Sequence, residues 1–327
     1  MRPELLEVMR CPVSGERLQF VDAQEIDGVI SSGWLVSETS HHRYPVRNGV
    51  PRFVAESNYA DNFGMQWNRF GKTQLDCFSG QPISANRFWR ATGWNSEQLK
   101  GRWLLDIGCG AGRFAEVALK AGAVVVALDY SSAVDACVAN LAHYPNLHVI
   151  QGDIYSLPFR KNQFSFVYSL GVLQHTPDVA KAFASLPPMV ATGGQLCVDF
   201  YQKSWKSALL PKYWLRPITK RMDKARLLKA LQFLVPKMLP LSNAIGAIPI
   251  VGNQLRRIIP VANFTGELPL NKTQMQEWSL LDTFDWLSPE FDNPQTPATV
   301  RRWLEMAGMQ NIEVRKIDHL VGRGSAA

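Results

Sequence analysis

The chain has 327 residues, of which 46% are apolar, and carries a net charge of +7. This composition excludes a disordered or fibrous protein and predicts a globular one of about two domains. The five cysteines are scattered and odd in number, which excludes a disulfide framework and favours the cytoplasm. The first residues contain no apolar run long enough to predict an export signal.

Residues 1–56 predict a small, separate, β-rich unit. Its pattern resembles the zinc-ribbon activator module that partners some tRNA and translation-factor methyltransferases, in which two Cys-x-x-Cys pairs bind zinc. The corresponding positions here are Cys11, Ser14, Ser37 and Ser40. Serine hydroxyls are poor zinc ligands, and the adjacent His41 and His42 would point to opposite faces of a strand. We therefore expect a degenerate zinc-ribbon-like module without a metal.

Residues 57–101 predict a helical cap that precedes the first strand of the next domain. Aromatic residues recur at near-helical spacing between residues 63 and 70. They either pack in the core or, in the functional interpretation, place Phe63, Gln66 and Trp67 in the wall of a ligand pocket.

Residues 102–202 carry the most informative pattern, an apolar strand followed by the glycine-rich sequence DIGCGAG at 106–112 and then by a helix. Strand, glycine turn and helix are typical of a nucleotide-binding doubly wound sheet. A second strand ends at Asp129, twenty-one residues after Gly108, a spacing that suits an acceptor for ribose hydroxyls. Later strands end at Asp153 and at His175, so these residues should converge on one crevice.

Two other interpretations of the glycine loop are disfavoured. A nicotinamide dehydrogenase requires Gly-x-Gly-x-x-Gly, and position 113 is an arginine rather than a glycine. A remnant of the fold without a ligand would not need both Asp129 and Asp153.

As a set, these motifs resemble the class I S-adenosylmethionine-dependent methyltransferases, and most of all the branch with the quinone-biosynthesis enzymes. The resemblance covers residues 100–202 and 288–325. It implies an α/β, Rossmann-like sheet of seven strands. It also implies S-adenosyl-L-methionine as cofactor, and its candidate binding residues are Asp106, Gly108, Cys109, Gly110, Gly112, Asp129, Tyr130, Ser131, Asp153, Ile154, Ser169 and Leu170.

Within that set, the three glycines would approach the methionine part of the cofactor. Asp129 would hold the ribose, and Asp153 with Ile154 the adenine. Ser165 and Gln174 depart from the family pattern, which more often has Asp and His there.

Methyl transfer from a sulfonium is an in-line displacement, and a base is needed only when the acceptor must lose a proton. His175 and Asp199 are the candidate catalytic residues, because their strands end over the crevice. Other titratable candidates are Tyr201, Asp282, Asp285 and His319.

Residues 203–287 predict a basic helical insertion, or lid. Residues 203–262 hold twelve Lys and Arg against one acid, Asp223, which gives this segment a charge of +11. Basic residues including Lys206, Lys220 and Arg221 crowd around aromatic ones such as Trp205. Such a segment can lie on an anionic membrane surface, form a lid over an acidic or lipid-linked substrate, bind RNA, or be a solvated cover. RNA is disfavoured because the aromatics match no known RNA-binding signature.

Residues 288–327 should complete the methyltransferase sheet. Thr296 is placed to cap a last helix over 298–307, and 311–317 with 319–321 predict a closing hairpin typical of class I methyltransferases. The sequence thus predicts an S-adenosylmethionine-dependent methyltransferase that O-methylates a small molecule, glycan or lipid-linked acceptor. The alternatives are a cofactor-binding scaffold without turnover and an RNA methyltransferase. We expect a cytoplasmic location, with peripheral contact at the inner membrane surface as a hypothesis.

Overall fold

The computed structural model describes residues 1–26, 28–55, 60–204 and 210–327. It is an α/β structure with one seven-stranded mixed sheet and a separate four-stranded antiparallel sheet, which confirms the predicted fold class. The expected boundary at 56/57, and Trp205 and Lys206 of the insertion, lie outside the described residues.

The N-terminal unit consists of a short helix and four antiparallel strands in sequential order. These elements are α1 (Leu5–Val8), β1 (Leu18–Ile26), β2 (Val29–Ser37), β3 (Arg43–Arg47) and β4 (Val50–Pro51). The unit packs on the main domain through a shared apolar core and a β-bridge from Met9 to Phe159. Arg52 makes a second, parallel bridge to Gln151 at the edge of the large sheet.

Three of the four positions that correspond to zinc ligands, Ser14, Ser37 and Ser40, are joined by hydrogen bonds between their side chains. Ser40 Oγ lies 2.7 Å from Ser37 Oγ and 3.1 Å from Ser14 Oγ, and it donates to Glu16 Oε2 at 2.9 Å. Cys11 is buried, with its Sγ 3.2 Å from the Tyr44 hydroxyl. Across the described residues, no group of three or more His, Cys, Asp and Glu side chains is placed to hold a metal ion.

Four short helices connect this unit to the large sheet. They are α2 (Asp61–Arg69), α3 (Asp76–Ser79), α4 (Ile83–Thr92) and α5 (Ser96–Leu99). Asn95 caps α5 in a reciprocal arrangement with Gln98, which satisfies two backbone N–H groups at that helix start.

The large sheet has the order β7-β6-β5-β8-β9-β11-β10. Its strands are β5 (Trp103–Ile107), β6 (Val124–Asp129), β7 (Leu147–Gln151), β8 (Phe164–Ser169), β9 (Val190–Phe200), β10 (Gln310–Lys316) and β11 (Leu320–Ser325). The five strands from β5 to β9 are parallel, and β11 and β10 close the sheet as an antiparallel hairpin, as predicted. The chain reverses direction across the sheet between β5 and β8, so the loops that follow these two strands separate and leave a crevice.

One strand differs from the prediction. The glycine pair Gly193 and Gly194 predicts a strand that begins after it, at Gln195, whereas β9 begins at Val190. The register with β8 jumps from Phe164↔Val190 to Phe166↔Gln195, so residues 191–194 bulge out of the ladder. Gly193 permits this bulge because its φ is +71°.

The helices that flank the large sheet are α6 (Arg113–Lys120), α7 (Ala133–Leu141), α8 (Val179–Ala184) and α13 (Pro297–Met306). Thr296 caps α13 through its side chain, as predicted. A 3₁₀ turn over Leu173–His175 follows β8.

The insertion is helical and has its own apolar cluster. Its helices are α9 (Pro211–Thr219), α10 (Lys224–Gly246), α11 (Gly252–Leu255) and α12 (Lys272–Leu287). Leu231 and Val235 of α10 pack with Leu281 and Phe284 of α12. Prolines inside a helix favour a break, but α10 continues through Pro236 and Pro240 to Gly246.

The N-terminal module generates a prediction about metal. We expect purified protein to contain less than one zinc per chain, and chelator to leave its melting temperature unchanged, because serine hydroxyls occupy three of the four thiolate positions. Elemental analysis and thermal unfolding measure both quantities. One zinc per chain that is lost on Cys11→Ser would contradict the prediction.

Candidate functional site

The glycine loop between β5 and α6 forms the floor of the site. Gly108, Gly110 and Gly112 all have positive φ, at +81°, +52° and +93°. A Cβ at Gly108 would overlap the side chain of Val172, and one at Gly110 would lie 3.1 Å from Trp67 Nε1. The loop therefore requires glycine both for its backbone conformation and for the close approach of its neighbours.

Asp129, at the end of β6, holds this loop. Its Oδ2 accepts a hydrogen bond from the Gly110 N–H at 2.9 Å, and its Oδ1 accepts from the Ser131 N–H and hydroxyl at 2.9 and 2.7 Å. Burial raises the pKa of Asp129 above its ordinary value, although the hydrogen bonds from Ser131 and Gly110 oppose the shift. Asp129 also lines the cavity, so its carboxylate is placed to accept from a ligand hydroxyl.

A cavity of about 620 Å³ extends from this loop toward the insertion. Eight of the residues predicted for the site line it: Gly108, Cys109, Gly110, Asp129, Tyr130, Ile154, Leu170 and His175. Phe63, Gln66 and Trp67 of α2 also line the cavity, where the functional interpretation placed them, and Trp67 packs in addition against the apolar cluster of the insertion.

Other predicted residues lie behind the cavity wall. Asp106 is buried in β5, where burial raises its pKa to about 7. Ser169 donates to the Ile107 carbonyl at 3.0 Å, and Ser131 supports Asp129. Asp153 does not line the cavity; it is partly exposed, and its Oδ1 accepts from the Tyr155 N–H at 2.9 Å.

Gly112 also lies outside the cavity lining. A Cβ there would overlap the side chain of Leu141 on α7, so this glycine serves the packing of α6 against α7. Like Asp106, Ser131, Asp153 and Ser169, it lies close to the site without lining the cavity.

His175 is presented to the cavity with one ring nitrogen free. Its Nδ1 lies 3.0 Å from the Phe291 carbonyl oxygen. A carbonyl can only accept, so Nδ1 carries a proton, and in the neutral form of the ring the lone pair would be on Nε2. Nε2 is buried and has no hydrogen-bond partner among the described residues. The ring packs between Phe63 and Tyr201, which fixes its orientation.

Asp199, the second catalytic candidate, has a different place. It is 1% exposed and does not line the cavity; its Oδ2 pairs with Arg87 at 2.9 Å and its Oδ1 accepts from the Gly171 N–H. The carboxylate thus fixes the loop after β8 and holds Arg87, which does line the cavity.

The sequence did not predict a chain of hydrogen bonds in the cavity wall that links Arg113, Gln74 and Asp282. Arg113 Nη1 donates to Gln74 Oε1 at 2.9 Å, and Gln74 Nε2 donates to Asp282 Oδ1 at 3.0 Å. Burial and the nearby Arg87 lower the pKa of Arg113 to about 9. Burial and the nearby Asp285 raise the pKa of Asp282 to about 7. Arg113 follows Gly112 directly, but nothing in the sequence indicated that Gln74 lies beside it.

A second set of polar side chains surrounds Asp285. Gln66 Nε2 donates to its Oδ1 at 3.2 Å, and the Tyr201 hydroxyl donates to its Oδ2 at 3.4 Å. Gln66 is fully buried, and its Oε1 has no partner within the described part of the chain, so it can accept from a ligand donor. Burial and Arg87 lower the pKa of His319, beside Tyr201, to about 4, which leaves that ring neutral at pH 7.

The insertion closes the remaining side of the cavity. Lys212 of α9 reaches in over the Tyr201 ring and pairs with Asp292 at 3.3 Å. Arg256, Arg257 and Phe264 line the cavity from the segment between α10 and α12.

Residues 105–198 match the family model described as a methyltransferase domain. The chain therefore carries a methyltransferase domain, and the strand order and the glycine loop agree with the fold that the sequence predicted for it.

The chain is similar to proteins named ubiquinone biosynthesis O-methyltransferase. The protein of that name from Coxiella burnetii is 28% identical over 113 residues, which are 34% of this chain and 48% of the relative. Its namesake from Bradyrhizobium sp. is 31% identical over 121 residues, 34% of this chain and 45% of the relative. The chain thus spans about half the length of these curated relatives.

Among solved structures, the magnesium protoporphyrin IX methyltransferase of Synechocystis PCC 6803 with bound S-adenosylhomocysteine is a distant likeness. It is 14% identical with a TM-score of 0.43, and the match covers 82% of this chain and 97% of that one.

The geometry of Asp129 generates a prediction about the cofactor. Asp129→Ala should weaken S-adenosylmethionine binding at least about tenfold in calorimetry, because hydrogen bonds to a charged group contribute about 1.5–3 kcal/mol. Asp135→Ala is the matched control, since it removes a half-exposed carboxylate on the adjacent helix. Unchanged affinity in folded Asp129→Ala would show that this carboxylate does not hold the cofactor.

Asp282 generates a prediction about pH and stability. Its folded pKa of about 7 lies above the ordinary 3.8, so its contribution to stability is complete below pH 3.8 and is lost as pH rises through 7. We expect the melting temperature of Asp282→Asn, relative to wild type, to rise across this interval. Asp318→Asn, which removes a carboxylate that is 44% exposed, should show no such rise. A difference for Asp282→Asn that does not vary with pH would contradict the assignment.

Proposed function

We propose that the chain is an S-adenosylmethionine-dependent methyltransferase that O-methylates a small molecule. The observation that carries this proposal is the single cavity that joins the Gly108–Gly112 loop and Asp129 to the free Nε2 of His175. The names of the relatives, ubiquinone biosynthesis O-methyltransferases, support a hydroxyl acceptor.

The residues at the near end of the cavity fit the cofactor. The glycine loop allows close approach of a ligand to backbone N–H groups, and the Asp129 carboxylate is placed to accept from a ribose hydroxyl. Trp67 lies close to Gly110 and lines the same cavity. When bound, the cofactor supplies a methyl group already activated by its sulfonium charge.

At the far end, His175 is the proposed general base. Its Nε2 is placed to take the proton of an acceptor hydroxyl, while the Phe291 carbonyl holds the tautomer. Asp199 acts as a positioning residue through Gly171 and Arg87 rather than by proton transfer. Gln66 Oε1 can accept a hydrogen bond from the acceptor.

The finer identity of the acceptor also belongs to this proposal. A glycan or a lipid-linked molecule would contact the insertion, which forms the outer wall of the cavity. We infer a cytoplasmic protein, which its five free cysteines support, with an anionic membrane surface as a partner of the basic insertion. No helix among the described residues is long and apolar enough to cross a membrane.

Release of S-adenosylhomocysteine from purified protein, measured against pools of hydroxyl-bearing acceptors, tests the proposed function. Turnover that requires a hydroxyl supports it. Cofactor binding without turnover on any pool would favour the scaffold alternative, and turnover on RNA alone would favour the RNA methyltransferase.

His175→Ala and His175→Gln should lower kcat by about 10²–10⁴-fold, because they remove the general base. Their affinity for S-adenosylmethionine should stay the same. His143→Gln, which changes an exposed histidine on the surface, is the control and should leave kcat unaltered. An unchanged kcat in His175→Gln would exclude the proposed base.

A further inference from the structure

Large apolar side chains are exposed mainly on one part of the molecule. Of the sixteen that the described residues expose, eleven lie in the insertion between residues 214 and 258. They are Trp214, Ile218, Met222, Phe233, Leu234, Leu241, Ile248, Ile250, Val251, Leu255 and Ile258. We refer to this set as the apolar face. Concentrations of this kind mark interaction surfaces rather than ordinary solvated surface.

Basic residues share the same helix surface. Lys229, Phe233, Lys237 and Leu241 follow one another at intervals of four along the outer side of α10, and all four are exposed. Lys237 Nζ lies 3.5 Å above the Phe233 ring. Alternation of cations and apolar side chains along one outer face is typical of a helix that lies at the interface of a bilayer.

The loop between α10 and α11 carries the most exposed apolar side chain. Ile250 is 96% exposed, and its φ of +70° lies in the left-handed region that a β-branched residue rarely adopts. Ile248 and Val251 beside it are also about half exposed. The loop therefore holds an apolar side chain in solvent at a conformational cost, an arrangement that burial in an apolar medium would offset.

The charge around the apolar face is predominantly positive. Its exposed cations include Lys220, Arg221 and Arg226, besides Lys229 and Lys237 of α10. The only acid between residues 203 and 262 of the sequence is Asp223. We propose that the apolar face docks on an anionic phospholipid bilayer, with Ile250 and its neighbours inserted among the acyl chains and the cations paired with headgroups.

The same segment forms part of the cavity wall. Arg256 and Arg257 line the cavity, while Leu255 and Ile258 on either side of them are exposed. Docking by the apolar face therefore brings the outer wall of the cavity to the bilayer surface. This inference refines the membrane partner named under the proposed function. Docking on a bilayer does not require methyl transfer, so the vesicle experiment can fail while the turnover experiment succeeds, and the reverse.

Co-sedimentation with vesicles tests the proposal on the full chain. Wild type should bind vesicles that contain phosphatidylglycerol, should bind pure phosphatidylcholine vesicles far less, and should be released as sodium chloride is raised. Lys229→Glu with Lys237→Glu should weaken binding at least about tenfold, because each cation near an anionic surface contributes to binding. Arg301→Glu with Arg302→Glu on α13 makes the same change in net charge away from the apolar face and should bind like wild type.

Ile248→Ser with Ile250→Ser tests the apolar contribution, with Met306→Ser as the matched control because Met306 is 78% exposed on the core domain. The double variant should bind anionic vesicles more weakly at every salt concentration, and the control should not. Calorimetry with S-adenosylmethionine should give wild-type affinity for all four variants, which shows that their folds are intact.

Several outcomes would overturn the proposal. Wild type that ignores anionic vesicles at low salt excludes a bilayer as the occupant. If such protein forms a dimer that Ile248→Ser with Ile250→Ser dissociates, the apolar face is an interface between two copies of the chain. If it binds RNA but no vesicles, the cations serve nucleic acid.

Discussion

The hydrogen bond from the Gly110 N–H to the Asp129 carboxylate is the constraint on which the site depends. It joins the loop after β5 to the end of β6 across neighbouring parallel strands. The loop makes a further bond from the Gly108 N–H to the Leu128 carbonyl at 2.7 Å. Because three glycines at positive φ would otherwise leave this turn with many conformations, the fixed end of β6 selects one of them. The floor of the cavity thus exists only when both strands are in register.

The far half of the cavity depends on a balance of buried charge. Arg87 and Lys212 reach the cavity, whereas their partners Asp199 and Asp292 lie behind it and are 1% and 3% exposed. Arg113 and Asp282 are separated by the neutral amide of Gln74. Buried ions require such partners, because the loss of hydration is costly.

This arrangement suits the proposed chemistry. Transfer of a methyl group from a sulfonium to an oxygen anion neutralises two opposite charges. A poorly hydrated cavity favours such a step, since attraction between opposite charges grows as water is excluded. The proposed base, His175, is held in place within this cavity through its Nδ1 contact with the Phe291 carbonyl.

The sequence predicted local features of the site well and long-range ones poorly. The apolar strands, the glycine turn and Asp129 were predictable because each is encoded within a few residues. Asp129 lies in the cavity wall for this reason, and so does His175 at the end of the loop after β8. By contrast, the Gln74–Asp282 bond joins side chains 208 positions apart, and the Asp199–Arg87 pair joins side chains 112 apart. No local pattern marks such contacts, so Asp199 was expected to face the acceptor rather than to hold Arg87.

The bulge in β9 and the hydrogen bonds among Ser14, Ser37 and Ser40 also depend on contacts that no local sequence pattern indicates. Gly193 and Gly194 read locally as a turn, but pairing with β8 on one side and β11 on the other extends the strand to Val190. Tertiary pairing overrode the local signal there. At the knuckle, the loss of three thiolates was evident in the sequence. The sequence did not indicate that Ser40 would donate a hydrogen bond to Glu16 at these positions.

The N-terminal module is attached in a way that does not require a metal. Arg52 donates to the Gln151 side chain at 2.9 Å and pairs with Asp135 at 2.6 Å, while the Phe53 N–H donates to the Gln151 carbonyl at 2.8 Å. Gln151 in turn donates to the carbonyl of Tyr130, which lines the cavity next to Asp129. The module therefore extends the edge of the large sheet, and Gln151 connects it to Tyr130 in the cavity lining. Since its apolar core is continuous with that of the main domain, packing and sheet contacts hold the module in place.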